Sequence, residues 1–329
     1  MHDKSGLIPF SEEQLRAAAN LAQFHGAWLS AERELRALPY GMAWKRSGER
    51  EYLYELRDRL GNGTSLGLRD AGTEARYRQY QEAKTAATEN ERRASAHVTE
   101  TGRILRALRA PAISPSAAVI LREADARTML GTDLLAVGTV AMVAYQYEAA
   151  HFFATGLDAT QDFDLAWTGG RGMHMAVAYP TPVSVLGMLK AVDSTYTVNT
   201  ERPFQARNKD AYEVELLVAP SVAATLPRSE PLRPEPLPEQ EWLLQGSRLE
   251  QTVPATDATA ARIIAPDPRW FALHKLWLAD KLTRNALKRP KDRRQGEALL
   301  EAIRSVMPRF PIDASYISSL PPELRRYVR

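Results

Sequence analysis

Asp133-Leu-Leu-Ala-Val-Gly-Thr139 opens the segment that decides the fold of this chain, and Gln161-Asp-Phe-Asp-Leu-Ala-Trp167 closes it. The pattern predicts a buried strand, a tight turn at Gly138, a helix and a second strand. Residues i and i+2 of a strand project from the same face, so Asp162 and Asp164 are expected to point into one small volume. Because carboxylates are placed this close mainly when a cation lies between them, the pair indicates a metal site.

Several elements are predicted before this segment. Ser11-Glu-Glu-Gln14 is a capping box, which predicts a helix that continues to about Ala37. Short apolar stretches divided by glycines predict a small β-meander from Met42 to Arg69. A polar, alanine-rich stretch from Thr73 to about Arg109 predicts a long helix or a helical hairpin, and a further helix is expected over residues 116–130. The long helix has only a thin apolar stripe, so it is a candidate surface for forming an oligomer.

The region after Trp167 is predicted to form a second, mixed part of the fold. A glycine-rich loop from Thr168 to Gly172 comes first, and the proline-rich stretch from Pro220 to Pro238 is interpreted as a linker. The other predicted elements are a helix at 182–192, strands at 194–198, 204–207, 212–218, 242–244 and 261–264, helices at 269–287 and 291–306, and a short final helix. These patterns divide the chain into regions 1–115, 116–220, 221–267 and 268–329.

Composition excludes several classes of protein. With 43 Lys and Arg against 40 Asp and Glu, the net charge of +3 is too small to argue for nucleic-acid binding by itself. The absence of cysteine excludes disulfides and thiolate metal sites, and it fits a reducing compartment. No signal peptide is visible at the start of the sequence, and the apolar run Leu134–Tyr145 is shorter than the about 20 residues that a membrane crossing needs. A cytoplasmic protein without a membrane segment is therefore expected.

Three short motifs carry a family resemblance: Val137-Gly-Thr139, Asp162-Phe-Asp-Leu165, and the strand Tyr212-Glu-Val-Glu-Leu-Leu-Val218. Together they resemble the signature of the DNA polymerase β-like nucleotidyltransferase superfamily. The helical region after Pro268 is similar in layout to bacterial abortive-infection-type nucleotidyltransferases. The resemblance implies an α+β fold with a nucleotidyltransferase-type mixed sheet flanked by helices. An N-terminal helix, meander and long helix would precede it, and a C-terminal helical domain would follow.

The resemblance also implies a reaction and a set of site residues. Asp162, Asp164 and Glu215 would hold Mg²⁺ or Mn²⁺, with Glu213 as the alternative third acid, and the substrate would be an NTP such as ATP. Gly138 allows the backbone to approach a phosphate, and Thr139 would cap the helix and contact the terminal phosphates. The implied activity moves an NMP to a hydroxyl or phosphate acceptor on RNA, protein or a small molecule.

Basic residues are candidates for further phosphate contacts. Arg207 and Lys209 precede the strand that carries the third acid, although such residues are often solvated turn charges. Lys275 corresponds to the lysine that the abortive-infection-type helix directs toward the nucleotide, with Lys281 behind it and Asp292 beside Lys291 on the next helix. The alternative is an amphipathic helix whose lysines face water.

Two other functions are compatible with the sequence. The interval between Thr139 and Asp162 is longer than in the family pattern by roughly two or three helical turns, which leaves open a reshaped site that binds nucleotide without catalysis. In the meander, six basic residues are interspersed with aromatic residues, an arrangement that can bind nucleic acid. Four acidic residues between them dilute the positive charge, namely Glu49, Glu51, Glu55 and Asp58. Those basic residues are Lys45, Arg46, Arg50, Arg57, Arg59 and Arg69, and the aromatics are Trp44, Tyr52 and Tyr54.

Overall fold

A computed structural model of the chain describes residues 6–153, 171–177, 184–223 and 230–328. The chain divides into two compact units. The larger unit comprises Met1–Ala22 and Thr101–Arg329, and the smaller unit comprises Gln23–Glu100. Two long helices pass from one unit to the other, α1 (Glu12–Ala37) and α2 (Ala71–Ala107).

The smaller unit contains the predicted meander between its two helical segments. The antiparallel strands are β2 (Gly41–Ser47), β3 (Arg50–Leu56) and β4 (Gly63–Leu68). The α2 helix is continuous, so the long helix rather than the helical hairpin is correct. Within this unit Phe24 stacks on His97, and the Trp28 indole donates to the Glu91 carboxylate at 2.8 Å. These contacts pair α1 with α2 in antiparallel directions.

The larger unit is built around a mixed sheet. Its strands lie in the order β5, β7, β10, β9, β8, with β11 paired to β10. The β7 strand is antiparallel to β5 and parallel to β10, and β9 is antiparallel to both β10 and β8. The bounds are β5 (Leu134–Val137), β7 (Arg171–Val177), β8 (Thr197–Val198), β9 (Gln205–Arg207), β10 (Tyr212–Val218) and β11 (Glu235–Pro236).

Two further strand pairs and several helices complete the larger unit. The strand β1 (Leu7–Pro9) pairs with β6 (His151–Phe153), and β12 (Leu249–Pro254) pairs with β13 (Ala260–Ala265). The helices after α2 are α3 (Pro115–Ala126), α4 (Thr139–Ala149), α5 (Val185–Val192), α6 (Pro220–Ala223), α7 (Gln240–Leu243), α8 (Pro268–Asp280), α9 (Arg289–Val306) and α10 (Ala314–Ser319), followed by a 3₁₀ turn at Arg325–Tyr327.

Helix α4 is held between the sheet and the C-terminal helices by buried aromatic side chains. The Tyr145 ring lies 5.1 Å from that of Phe271 on α8, and its hydroxyl donates to the Pro266 carbonyl at 3.0 Å. A buried hydroxyl with such a partner satisfies its hydrogen bond while the ring fills the core. The middle of α4 is thereby fixed relative to α8.

Several predicted elements differ from the structure. Arg171 and Gly172 belong to β7 and not to a loop, because the alternating residues that follow extend the strand to Val177. The predicted strand at 242–244 is wrong, since Gln240–Leu243 is helical, and α8 ends at Asp280 rather than continuing to 287. The proline-rich stretch contains α6 and β11 in its described part, so it is not a simple extended linker.

Candidate active site

The turn after β5 has the conformation that only glycine adopts readily. Gly138 has φ 79° and ψ −151° and is the N-cap of α4. The predicted cap at Thr139 is wrong, since Thr139 is already the first helical residue and no side chain caps this end. The first amide N–H groups of a helix have no partner within the helix, so this end of α4 can receive an anion.

One row of residues across the sheet connects this turn to the predicted third acid. Val137, directly before Gly138, is in register with His174 of β7, which is in register with Glu215 of β10. Neighbouring strands lie ~4.8 Å apart, so the Cα atoms of Val137 and Glu215 are separated by about 10 Å. The structure therefore brings the Gly138 turn level with the half of β10 that carries the two acids.

Glu213 and Glu215 share one hydrogen-bond donor on their face of the sheet. The Gln205 side-chain nitrogen donates to Glu213 at 3.0 Å and to Glu215 at 3.3 Å. Gln205 is buried, and its side-chain oxygen accepts from the Asn199 amide at 2.8 Å, which fixes the orientation of its amide group. Two carboxylates held side by side offer the hard oxygen atoms that Mg²⁺ and Mn²⁺ prefer. Because Gln205 contacts both carboxylates, Glu213 and Glu215 both remain candidates for the third acid.

Arg207 and Lys209 lie beside these acids on the neighbouring strand and turn. Arg207 is the cross-strand partner of Glu213, and its guanidinium lies 3.9 Å from the Glu213 carboxylate. The Lys209 backbone N–H donates to Thr195, and its ammonium contributes to the lowered pKa of Asp193, which results first from hydrogen bonds donated by Thr195. Of the two, Arg207 shares the row and face of an acid.

Lys275 is part of a buried charge network between α8 and α9. Its ammonium lies 2.9 Å from the Asp292 carboxylate, whose other oxygen accepts from Arg284 at 2.8 Å. Burial lowers the pKa of Lys275 against the attraction of Asp292, and Arg284 adds repulsion. Although burial opposes ionisation of Asp292, the two cations hold its pKa below the ordinary value. The alternative in which these lysines face water is wrong for Lys275.

Lys288, the residue before α9, connects this network to the sheet. Burial lowers the pKa of its ammonium, and Arg284 lowers it further, whereas the negative charge of Glu215 raises it. Lys288 therefore lies within electrostatic range of both the α8–α9 network and the acidic face of β10. Sequence reasoning missed Lys288, Arg284 and Gln205, and of these only Lys288 belongs to a visible basic run, which continues to Arg294.

Asp162 and Asp164, the two predicted metal ligands on the central strand, lie outside the described residues. They precede Arg171, the first residue of β7, which is in register with Tyr212 of β10. Within the described ranges, no group of three or more histidine, aspartate or glutamate side chains is arranged to hold a metal ion. Glu213 and Glu215 form a pair of potential ligands, which suits a site whose other ligands come from elsewhere in the chain.

Two of the basic residues of the meander, Lys45 and Arg69, have partners within the smaller unit. The Lys45 ammonium lies over the Tyr54 ring, 4.7 Å from its centroid, and donates to the Gly61 carbonyl. Arg69 lies over the Trp44 ring and forms ion pairs with Glu51 and Glu74 at 2.6 and 2.9 Å. These contacts stabilise the meander and reduce the positive charge that it presents.

Comparison with known proteins places the larger unit in a family. No curated protein and no solved structure matches the chain. None of the helices in the described ranges combines the length and the apolar character that crossing a membrane requires. A family model described as nucleotidyltransferase matches residues 116–320, a range that includes the Gly138 turn, the acids of β10 and the α8–α9 network. Because the match covers more than half of the 329 residues, the chain belongs to this nucleotidyltransferase family.

Proposed function

We propose that the protein transfers an NMP from a Mg²⁺- or Mn²⁺-bound NTP, such as ATP, to a hydroxyl or phosphate acceptor. The observation that carries this proposal is the row from Val137 through His174 to Glu215, which brings an uncapped helix start level with two carboxylates of β10. The family match supports nucleotidyl transfer as the general activity. RNA, a protein side chain and a small molecule are all acceptors compatible with the site.

Each residue of the proposed site has a definite task. The amides at Gly138 and Thr139 would bind phosphate oxygens, and Asp162, Asp164 and Glu215 would hold the divalent ions, with Glu213 as the alternative to Glu215. When bound, those ions neutralise the triphosphate and favour in-line displacement.

In the proposed reaction the acceptor oxygen forms a bond to the α-phosphorus of the NTP. The bond from that phosphorus to the oxygen bridging to the β-phosphate breaks, and pyrophosphate leaves with the bonding electrons. The proton of a hydroxyl acceptor passes to a carboxylate of β10, where Gln205 holds Glu213 and Glu215 in place.

The test measures pyrophosphate release and transfer of an α-phosphate label from each NTP, with Mg²⁺ or Mn²⁺, to RNA, to protein and to small hydroxyl compounds. Asp162→Asn and Asp164→Asn are each expected to reduce transfer by more than about 100-fold, the scale of a lost electrostatic contact to the transition state. Asp210→Asn is the matched control, because Asp210 is an exposed carboxylate in the turn before β10.

Comparison of Glu213→Gln with Glu215→Gln identifies the third acid, since only the ligand should be essential for transfer. Equal transfer by the wild type and by both aspartate variants would overturn the catalytic proposal. Binding of an NTP without transfer to any acceptor, water included, would instead identify a nucleotide-binding module on the same fold.

A further inference from the structure

The β-meander of the smaller unit has two faces of different character. Residues of a strand alternate between the faces, and cross-strand partners share a face. Trp44 and its partner Leu53 lie on the inner face, where Leu53 is fully buried and the Trp44 ring lies 5.7 Å from that of Tyr77 on α2. Lys45 and its partner Tyr52 therefore lie on the opposite face, which we name the outer face. Its side chains include Lys45, Arg50, Tyr52, Tyr54, Ser65 and Leu68.

The strands of the meander separate their charges between these faces. The structure describes every residue of the three strands, and their two acids, Glu51 and Glu55, both lie on the inner face with Leu53. Glu51 forms an ion pair there with Arg69 at 2.6 Å. The charged residues that the strands place on the outer face are Lys45 and Arg50. The outer face is therefore positive, although the meander as a whole is nearly balanced.

The surroundings of these two cations preserve that positive charge. The partners of Lys45, the Tyr54 ring and the Gly61 carbonyl, are both neutral, so they leave the charge of its ammonium uncancelled. In the turn after β3, the Asp58 carboxylate accepts from the N–H and the side chain of Asn62 at 3.0 and 2.8 Å, so it is used in closing that turn. Glu49, in the turn before β3, is the one acid adjacent in sequence to a cation of the outer face.

The tyrosines of the outer face are spaced to contact an extended chain. Tyr52 and Tyr54 are two residues apart on β3, which separates them by about 7 Å along the strand. Their neighbours on β4 are Leu68 beside Tyr52 and Ser65 beside Tyr54, and both of these are exposed. Lys45 on β2 is the direct partner of Tyr52 and lies over Tyr54, so one cation accompanies both rings.

We propose that the outer face binds a single-stranded nucleic acid. Unpaired bases would stack on Tyr52 and Tyr54, and phosphates would contact Lys45 and Arg50. The separation of charge favours this ligand over a protein segment, because cations beside aromatic rings match an anionic chain whose bases present flat faces. RNA and DNA strands share this chemistry. The site lies before the residues that match the family and does not depend on the proposed function.

Fluorescence anisotropy of the full chain with labelled single strands of about 12 nucleotides tests this site, with RNA, DNA and duplex RNA as separate ligands. Tyr52→Ala is expected to weaken binding of the single strands by about 5- to 100-fold, the effect of losing one stacked base. Tyr52→Phe should restore most of the affinity, because it keeps the ring. Tyr40→Ala is the matched control, since Tyr40 is 52% exposed and precedes β2.

A charge variant keeps the test decisive if Tyr52→Ala does not fold. Arg50 is exposed at the first position of β3, so Arg50→Gln should fold. It should also make the slope of log affinity against log salt concentration shallower by about 0.7, the value for one lost phosphate contact with a single strand. Arg46→Gln is its control, because it removes one exposed charge from the inner side of β2 and should leave the slope nearly unchanged.

Preferential binding of RNA or of DNA single strands would identify the source of the ligand, and either preference supports the site. A wild type that binds neither strand would overturn the inference, and so would unchanged affinity in both Tyr52→Ala and Arg50→Gln. Equally tight binding of duplex RNA would overturn it as well, because a duplex offers no unstacked bases to the tyrosines. These measurements record binding alone, so loss of nucleotidyl transfer in Asp162→Asn would leave the inference unaffected.

Discussion

Asp292 is a buried carboxylate that holds cations from two segments of the chain. It binds Lys275 of α8 and Arg284 of the following loop, at 2.9 and 2.8 Å. Removing these charges from water is costly, and their mutual attraction repays the cost only while every partner is present. Asp292 therefore keeps α8, the loop and α9 in one arrangement.

A double-mutant cycle at Lys275 and Asp292 should measure the free energy of interaction between the two side chains. Asp292→Leu is expected to lower the free energy of unfolding by about 3–5 kcal/mol, because it leaves the buried Lys275 ammonium without its carboxylate. Lys275→Met should cost less, because Arg284 still neutralises Asp292. The double variant Lys275→Met/Asp292→Leu should lose less than the sum of the two single losses, because only Arg284 is then left without its carboxylate. Urea denaturation measures all three, and additive losses in the double variant would contradict a coupled pair.

The same network fixes the direction of a pH effect. The pKa of Asp292 is lowered in the folded protein, so its contribution to stability is present above the unfolded pKa of about 4 and is lost as pH falls below that value. Asp292→Asn should therefore lose stability at neutral pH and show a flatter decline than the wild type on the acid side.

Sequence reasoning at the residue scale succeeded where local chemistry decides the outcome. The sequence predicts a tight turn at Gly138, and the φ of 79° observed there shows why the turn needs glycine. Alternation placed Glu213 and Glu215 on one face, as observed. Their shared donor Gln205 could not be predicted, because it reaches them through the register of two strands. Lys288 was missed for a similar reason, since its position depends on tertiary packing.

At the scale of elements, α8 and α9 pack closely at a glycine. A Cβ atom added to Gly296 would lie 2.7 Å from the Leu276 side chain and 2.9 Å from the Ala272 carbonyl oxygen. The second contact involves backbone, so it cannot be relieved by a side-chain rotation. Gly296 therefore sets the distance between the two helices that share the Lys275–Asp292 pair.

Two glycine-to-alanine changes should affect stability in opposite directions. Gly296→Ala is expected to destabilise the larger unit by about 1–2 kcal/mol, because crowding outweighs the better helix propensity of alanine. Gly26→Ala, in an exposed part of α1 with no atom within 4 Å of the added Cβ, should stabilise the smaller unit by about 0.5–1 kcal/mol. Hydrogen exchange of amides in α9 and α1 reports the two units separately. A stabilising Gly296→Ala would contradict the close packing.

Elements with strong local signals were predicted well. The capping box forms, with the Ser11 N–H donating to Gln14 at 2.8 Å, and α1 ends at Ala37 as expected. The strand β7 was missed because its first residues follow a run of glycines that reads as a loop. The β1–β6 pair was missed as well, since its short strands come from opposite ends of a long stretch of sequence. Pairings of this kind depend on long-range contacts that no local pattern encodes.

At the scale of the whole molecule, the smaller unit lies outside the region that matches the nucleotidyltransferase family. The match covers residues 116–320, and the smaller unit, Gln23–Glu100, lies entirely before it. The chain enters the smaller unit along α1 and leaves it along α2, and these helices are neighbours there, as the Phe24–His97 contact shows. In the larger unit, the Gln14 side chain donates to the Leu108 carbonyl at 2.9 Å and pairs the same two helices. Ala22 and Thr101 are therefore close enough for a short connection.

We expect that the larger unit folds and binds nucleotide when Gln23–Glu100 is replaced by a short glycine-serine linker. Closing a loop of a few residues between neighbouring helices costs little entropy, and the residues of the proposed site all lie outside the excised range. The excised protein should bind ATP within about threefold of the full chain, a difference below 1 kcal/mol. Sedimentation of both proteins tests whether the long helix supports association, because only the full chain should then form an oligomer. A soluble excised protein without a cooperative unfolding transition would show instead that the larger unit requires the smaller one to fold.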